Sequence, residues 1–155
     1  MRLDGKTAIV TGAGSGFGAG IATRFLAEGA QVVLADINLA AAQGVADQAR
    51  GLACHADVAD RDSVAALTAF ALDKMGRVDI LVNNAGVTHL PAPMEDVSEA
   101  DFDRVFAVNC KSVYLTARAF VPGMKATGKG AILNVASTAG VSPRPRLNWY
   151  NASKG

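Results

Sequence analysis

The sequence predicts one α/β domain, a doubly wound parallel sheet with helices on both faces. Short apolar segments alternate along the chain with longer segments of helical periodicity, which is the order of strand–helix–strand units. Several of the apolar segments are continuous rather than alternating, as expected for parallel strands buried on both faces. The chain has 155 residues, the size of a single domain, and its short links favour right-handed crossovers.

Five segments have the composition of strands. The third is the weakest of them, and no segment between them has the composition of a linker between domains. The predicted strands cover residues 7–11, 31–35, 52–55, 79–83 and 131–135.

Helices are predicted between the strands, and several have recognisable ends. They cover residues 16–28, 39–50, 61–75 and about 98–125. Asp60 is placed to cap the third helix and Gly76 to end it, while Gly29 follows the first helix. Ser98 and Asp101 form a capping pair at the start of the fourth and longest helix.

The composition excludes several classes of protein. Half of the residues are apolar and 19% are charged, which is typical of a globular domain rather than a disordered tail. The formal net charge is only +1, so no basic excess indicates a nucleic-acid partner. The uncharged run of residues 7–23 contains five glycines and begins as a strand, so no membrane association is expected.

The cysteines and the N-terminal segment predict a cytoplasmic location. Cys54 and Cys110 form no CxxC motif, which excludes a disulfide framework and favours a reducing compartment. Residues 1–6 contain no apolar region of the kind that directs secretion. Cys54 and His55 are neighbours on a strand and point to opposite faces, so no metal site is expected.

The turn between the first strand and the first helix is rich in glycine. Residues 11–18 read TGAGSGFG, a GxxxGxG pattern after the threonine. A backbone without Cβ atoms can approach a pyrophosphate closely, and the following helix offers unpaired N–H groups and the positive end of its dipole. The pattern predicts a dinucleotide site, although glycines also serve plain turns. The candidate cofactor-binding residues of this turn are Gly12, Ser15, Gly16, Phe17 and Gly18.

Asp36 ends the second strand and indicates which dinucleotide is bound. A carboxylate at this place can accept hydrogen bonds from both ribose hydroxyls of adenosine, and it would repel a 2′-phosphate. The following residues, Ile37 and Asn38, supply no cation that a 2′-phosphate would need. The pattern therefore favours NAD(H) over NADP(H); the alternative is an aspartate that only serves the turn.

Tyr150 and Lys154 lie near the end of the chain, one helical turn apart. A nearby ammonium ion stabilises a phenolate, so the pair is suited to move a proton to or from a hydroxyl or carbonyl group. The same spacing also arises on solvated helix faces, and by itself it identifies no site.

Taken together, these segments resemble the short-chain dehydrogenase/reductase family, in the group with a TGxxxGxG cofactor turn and a YxxxK active site. The resemblance extends over nearly the whole chain. Within the family, the chain is similar in particular to 3-oxoacyl-carrier-protein reductases and to sugar or secondary-alcohol dehydrogenases. It implies a Rossmann-like sheet. The family's signatures occur in order at residues 11–18, at 57–58, at 83–86, at Asn109, and at Ser137 with Tyr150 and Lys154.

The resemblance also implies a role for each of these residues. Tyr150 would pass the proton, Lys154 would hold the nicotinamide ribose, and Ser137 would hydrogen-bond the substrate oxygen. Asn109 would hold a water that links Lys154 to solvent. The cofactor-binding residues implied outside the glycine turn are Asp36 and Ile37, then Asp57 and Val58 around adenine, Asn84, Ala85 and Gly86 along the channel, and Tyr150 and Lys154.

Asn109 has a second interpretation. It lies on the same helical stripe as Phe102 and Val105, and a buried amide on an apolar stripe needs hydrogen-bond partners. A structural asparagine bonded to backbone groups satisfies this need, and such a role is compatible with the functional one.

The function that the resemblance implies is NAD(H)-dependent hydride transfer between nicotinamide and a secondary alcohol or ketone. The substrate, a 3-oxoacyl thioester or a sugar or polyol, stays open, and the alternative is a truncated, non-catalytic nucleotide-binding or assembly module. Val108 and Leu115 lie off the Asn109 stripe, so the long helix is expected to expose a second apolar face. With the resemblance, this face predicts a homo-oligomer, either a dimer or a homotetramer. Because the family continues beyond a position equivalent to Gly155, we expect the chain to be the leading part of a longer enzyme.

Two loops contain charged residues whose roles the sequence leaves open. His89 is expected to be a solvated loop histidine, although its loop could border the substrate. Arg144 and Arg146 alternate with prolines between Ser137 and Tyr150. They either stay solvated or meet an anionic substrate or an acidic carrier protein.

Overall fold

The computed structural model describes all 155 residues and contains one five-stranded parallel sheet. The strand order is β3-β2-β1-β4-β5, so the predicted fold class is confirmed. Every strand begins and ends within one residue of its predicted bounds. The strands are β1 (Thr7–Thr11), β2 (Gln31–Asp36), β3 (Leu52–His55), β4 (Ile80–Asn83) and β5 (Ala131–Asn134).

Six helices connect and cover the strands, and the predicted capping residues and terminal glycines are confirmed. The side chain of Asp60 accepts a hydrogen bond from Ser63 N, and that of Ser98 accepts one from Asp101 N. Gly29 and Gly76 adopt positive φ values of +91° and +73° at the ends of their helices. No helix has both the length and the apolar composition that crossing a bilayer would require. The helices are α1 (Gly16–Ala27), α2 (Leu39–Ala49), α3 (Arg61–Met75), α4 (Glu99–Phe106), α5 (Ser112–Thr127) and α6 (Asn148–Ser153).

The two faces of the sheet form two separate apolar cores. Side chains such as Val10 and Leu34 pack with α1 and α2 on one face. Their chain neighbours, such as Ile9 and Val33, pack with α3 and α5 on the other face. Because successive strand residues point to opposite faces and both faces are covered, every residue of β1 is buried, which explains the continuous apolar runs.

The long helix predicted from residue 98 to about 125 is divided in two. A five-residue π-helical turn, Ala107–Lys111, separates α4 from α5, and Asn109 lies buried at its centre. The apolar periodicity of the sequence gives no sign of this widened turn. Such turns are frequent at functional sites because they redirect the side chains on one face of a helix.

Val108 and Leu115 do not form the exposed apolar face that the sequence predicts. Leu115 is only 5% exposed, and Val108 lines a cleft at the carboxyl edge of the sheet. The interpretation of these two residues as an exposed apolar face is therefore wrong. The large hydrophobic side chain that α5 exposes is instead Tyr114, whose hydroxyl accepts a hydrogen bond from Arg118.

A buried carboxylate fastens the amino edge of the sheet. Asp79 Oδ2 accepts hydrogen bonds from Thr7 N at 3.0 Å and Thr7 Oγ1 at 3.2 Å, and Asp79 Oδ1 accepts one from Arg77 Nε at 3.0 Å. Burial by itself raises the pKa of Asp79, but the hydrogen bonds from Arg77 and Thr7 outweigh it, so the pKa is lowered. The ionised carboxylate therefore stabilises the junction of β1 with β4.

We expect Asp79→Asn to lower the free energy of unfolding by about 1–3 kcal/mol near neutral pH, because Arg77 and Thr7 lose a charged acceptor. A carboxyl group whose pKa is depressed on folding stabilises the protein above its unfolded pKa, and this contribution is lost as the pH falls through the folded value. The difference between variant and natural protein should therefore shrink below about pH 4. Urea unfolding at neutral and acidic pH measures it.

Asp73→Asn is the matched control for this prediction. Asp73 pairs with Lys74 on the surface, and its side chain is 70% exposed. Its replacement should change the free energy of unfolding little at either pH. A constant difference for Asp79→Asn across the pH range would contradict the role given to its charge.

Candidate active site

The turn between β1 and α1 lies unusually close to the end of β4. Gly12 and Gly16 have positive φ values of +64° and +54°. A Cβ atom on Gly12 would lie 2.9 Å from Ala85 Cα, and one on Gly18 would collide with Gly12 O. The glycines at these positions are therefore required by the path of the backbone itself.

Side chains of Thr11 and Asn84 join the carboxyl ends of β1 and β4. Thr11 Oγ1 accepts hydrogen bonds from Asn84 N at 3.0 Å and Ala85 N at 3.1 Å. The Asn84 Nδ2 group donates to Thr11 O at 2.9 Å and to Gly12 O at 3.1 Å. These bonds fix the glycine turn against the loop that follows β4.

A cleft of about 370 Å³ opens beside this junction. Its position matches the rule that open α/β sheets bind ligands beyond the strand carboxyl ends, where the strand order reverses. Gly18 is buried and does not line the cleft. The predicted cofactor-binding residues that line the cleft are Gly12, Ser15, Gly16, Phe17, Asp36, Ile37, Asp57, Val58, Asn84, Ala85 and Gly86.

Asp36 is held at the rim of this cleft by two backbone groups. Its Oδ2 atom accepts a hydrogen bond from Gly14 N and its Oδ1 atom accepts one from Asn38 N, each at 2.8 Å. A carboxylate has about four lone-pair positions, so half of its capacity stays open to the cleft. The aspartate therefore serves the turn, as the alternative interpretation required, and still offers acceptors to a ligand.

The opposite wall of the cleft is formed by the segment after β3. Asp57 N donates to Ser63 Oγ and Asp57 Oδ1 accepts from Ala59 N, both at 2.9 Å. The neighbouring Val58 is buried. This gives the cleft one wall with a fixed apolar side chain and a fixed carboxylate.

A second cleft of about 550 Å³ continues from the first. The two share the residues Phe17, Asn84, Gly86 and Val87, so they form one groove along the carboxyl edge of the sheet. Ser137, Tyr150 and Lys154 line the second cleft. The structure thus brings three of the four predicted catalytic side chains together beside the predicted dinucleotide cleft.

The polar groups in this second cleft keep free hydrogen-bonding capacity. Ser137 Oγ accepts a hydrogen bond from Ala139 N at 3.2 Å, and its own proton has no acceptor within the chain. Lys154 Nζ donates to Val135 O at 3.1 Å, which leaves two of its three donors available. Both side chains can therefore donate to a bound molecule.

Asn109 lies behind the cleft, and its amide is occupied by protein groups. The Oδ1 atom accepts from Val87 N at 2.9 Å, and the Nδ2 group donates to Val87 O at 2.9 Å and to Ser153 Oγ at 2.8 Å. Ser153 Oγ in turn donates to Tyr150 O at 2.8 Å. The structural interpretation of Asn109 therefore holds: it connects the loop after β4 to the helix that carries Tyr150 and Lys154.

Two further residues fasten α6, and the sequence reasoning missed both. The buried Asn151 donates to Arg144 O at 2.9 Å and accepts from Arg144 N at 3.2 Å. Trp149 packs edge-on against Phe102 of α4, with ring centroids 5.2 Å apart, and its Nε1 donates to Met94 O at 3.1 Å. The only signal in the sequence is the presence of an amide and an indole beside Tyr150.

His89 is buried, so its expected place as a solvated loop residue is wrong. It is 2% exposed, and its Nδ1 donates to Leu90 O at 2.8 Å, because a carbonyl can only accept. The buried Nε2 atom has no hydrogen-bond partner. His55 and Cys54 take part in no cluster, and nowhere do three or more His, Cys, Asp or Glu side chains lie together as metal ligands would.

Sequence comparison identifies one family. A sequence profile described as short chain dehydrogenase matches residues 6–155. Among individual proteins, the chain is 45% identical to 4-formylbenzenesulfonate dehydrogenase TsaC1/TsaC2 of Comamonas testosteroni, over 99% of this chain and 63% of that protein. The chain therefore spans less than two thirds of the length of this relative.

Solved structures agree with this result. The fold matches a 3-ketoacyl-(acyl-carrier-protein) reductase from Brucella melitensis complexed with NADH, with a TM-score of 0.96 and 49% identity, over 99% of this chain and 66% of that one. It also matches a metagenomic short-chain oxidoreductase in complex with NADP, with a TM-score of 0.93 and 38% identity, over 99% and 72% of the two chains.

We expect Gly18→Ala to destabilise the natural gene product by about 1–3 kcal/mol, because the added methyl group must displace the backbone of the glycine turn. The matched control is Gly20→Ala in the same helix, where an added Cβ meets no atom within 4 Å. That change should stabilise the protein by up to about 1 kcal/mol, since alanine favours a helix interior. Urea denaturation measures both, and equal effects of the two substitutions would contradict the close approach at Gly18.

Proposed function

The chain belongs to the short chain dehydrogenase family, and from this premise we propose that it is the nucleotide-binding and catalytic part of an NAD(H)-dependent oxidoreductase. The proposed reaction is hydride transfer between nicotinamide and a secondary alcohol or ketone. The observation that carries the proposal is the single groove that joins the glycine turn and Asp36 to Ser137, Tyr150 and Lys154. A non-catalytic nucleotide-binding or assembly module would need only the first half of this groove.

The residues of the groove fit a dinucleotide. Positive φ values and missing side chains at Gly12 and Gly16 leave room for a pyrophosphate at the start of α1, where unpaired N–H groups and the helix dipole favour an anion. Ile37 and Val58 would flank the adenine end. When bound, the nicotinamide supplies or accepts the hydride.

Asp36 supports NAD(H) rather than NADP(H). Its open lone pairs suit the two ribose hydroxyls, and its negative charge would repel a 2′-phosphate. No arginine or lysine is among the residues that line the first cleft. Family membership alone does not decide between the cofactors, since the structural relatives include complexes with NADH and with NADP.

The side chains of the second cleft divide the proton chemistry between them. The Ser137 hydroxyl has a free proton to donate to the substrate oxygen, and Tyr150 Oη would donate or remove the proton on that oxygen as it becomes a hydroxyl or a carbonyl. Lys154 Nζ, fixed through Val135 O, keeps donors for the nicotinamide ribose.

Asn109 would act mainly by positioning α6 through Ser153. Its Oδ1 atom keeps one lone pair, which is the acceptor that would hold a water between Lys154 and solvent. A Cβ atom on Gly86 would lie 3.1 Å from Lys154 Nζ and 3.4 Å from Asn109 Oδ1. The absence of a side chain at Gly86 therefore leaves room for both groups beside it.

Substrate and assembly follow less directly from the groove. A 3-oxoacyl thioester or a sugar or polyol are the classes we propose from the family resemblance. A cytoplasmic location and a homo-oligomer, a dimer or a tetramer, belong to the same proposal.

We expect Tyr150→Phe to lower kcat of the natural gene product by about a hundredfold or more, because the variant lacks the proton donor. Cofactor binding should persist, because the groove is otherwise unchanged. The absorbance of NADH with a panel of alcohols and ketones reports turnover, and cofactor fluorescence reports binding.

Tyr114→Phe is the matched control, since Tyr114 lies on the exposed side of α5 and should tolerate the change. Full activity of Tyr150→Phe would refute the role of the phenol. Cofactor binding without turnover of any alcohol or ketone by the natural protein would favour the non-catalytic module.

We expect Asp36→Asn to raise the ratio of kcat/KM for NADP(H) to that for NAD(H) by about tenfold, because one negative charge beside the ribose is removed. Asp47→Asn removes a charge from the exposed side of α2, outside both clefts, and should leave this ratio unchanged. Steady-state kinetics with both cofactors measures the ratio. A higher kcat/KM for NADP(H) than for NAD(H) in the natural protein would overturn the assignment of NAD(H) as the cofactor.

A further inference from the structure

The cleft beside Tyr150 has a positive wall. Of its 12 lining residues, Lys154 and Arg144 are cationic and none is acidic. Lys154 is accounted for by the proposed mechanism, whereas Arg144 has no task in it. A cation that faces a groove without a neighbouring carboxylate attracts an anionic ligand.

The backbone of Arg144 is fixed relative to the proposed catalytic helix. Asn151, the residue after Tyr150, bonds both the N–H and the carbonyl of Arg144. These two bonds hold the Cα atom of Arg144 in a fixed position relative to Tyr150. An arginine anchored in this way loses little further backbone freedom when it binds a ligand.

The guanidinium group of Arg144 is unpaired. The ion pairs of the chain use Arg24, Lys74, Arg77 and Arg104, and the hydrogen bonds of Arg144 involve only its backbone. All five of its N–H donors are therefore available. A planar fork of donors matches a carboxylate or sulfonate in two-point contact.

Arg146 provides an internal contrast. It lies two residues further along the same loop, is exposed as Arg144 is, and has a left-handed φ of +63°. Its carbonyl accepts a hydrogen bond from Ala92 N at 3.0 Å, but it does not line the cleft. The two arginines carry the same charge in different places, so their substitution separates local contact from overall charge.

We propose that Arg144 binds an oxyanion of the substrate, so that the enzyme acts on small ketones or alcohols that carry a carboxylate or sulfonate. The inference rests on the proposed oxidoreductase function and narrows its substrates, because it favours compounds with an anionic group over uncharged sugars and polyols. The arginine would hold the anionic end while Ser137 and Tyr150 contact the reacting oxygen.

The test compares substrates that differ in charge but hardly in shape. Acetoacetate and acetoacetamide form one pair, and 4-acetylbenzoate and 4-acetylbenzamide form a larger, aromatic pair. For at least one pair, the natural gene product with NADH should show a higher kcat/KM for the acid than for the amide. Arg144→Gln should lower this acid-to-amide ratio about tenfold or more, because a charge-assisted contact is lost.

Two further variants make the result specific. Arg144→Lys keeps the charge and should retain part of the preference for the acid, and Arg146→Gln should leave the ratio unchanged. Circular dichroism checks that each variant is folded, and KM for NADH checks that Arg144 does not act on the cofactor.

The possible failures are distinguishable. Turnover of both members of a pair with a ratio that Arg144→Gln does not change would overturn this inference and leave the oxidoreductase function intact. An equal loss in Arg144→Gln and Arg146→Gln, or a rise only in KM for NADH, would also overturn it. Turnover of neutral alcohols or ketones from the panel, without turnover of any of the four compounds, would overturn this inference alone, whereas absence of turnover with the whole panel and both cofactors would refute the proposed function and this inference together.

Discussion

The hydrogen bonds between Thr11 and Asn84 hold the site together because they lie where the order of the sheet reverses. From β1 the chain builds outwards to β2 and β3, and only then returns to the other side of β1 with β4. The connections that leave β1 and β4 therefore diverge and open a groove between them. Without the bonds from Thr11 and Asn84, neither the glycine turn nor the loop after β4 has a fixed position relative to the other.

The helix α6 depends on contacts with the rest of the molecule. It has only six residues, too few for a stable isolated helix in water. Trp149, Asn151 and Ser153 bind it to α4, to the preceding loop and to Asn109 respectively. These three side chains, which lie beside or between Tyr150 and Lys154, thus position the two residues proposed for catalysis. The π-helical turn presents Asn109 to this helix. The irregular part of the long helix therefore lies where the helix of Tyr150 and Lys154 is positioned.

The sequence predicted the fold well because its signals are local. Continuous apolar strands, capping residues such as Asp60 and glycines at helix ends each act within a few residues, and all were confirmed. What it could not reveal depends on contacts between distant segments. The burial of His89, the position of Val108 in the cleft and the hold of Asn151 on Arg144 arise only when separate loops are brought together. The motif residues marked where the groove would lie, whereas the residues that fix its geometry had no recognisable pattern.

The groove is electrostatically uneven along its length, and this unevenness limits what can bind. Asp36 and Asp57 give the first cleft a negative rim, while Lys154 and Arg144 make the second cleft positive. A ligand with a bare anionic group at the adenosine end meets repulsion there, whereas an anionic group next to Tyr150 meets attraction. Both clefts lie beyond the carboxyl ends of the same strands, so discrimination between ligands that differ in charge needs no change in fold. Side chains on the loops are sufficient for it, and Arg144 lies on such a loop.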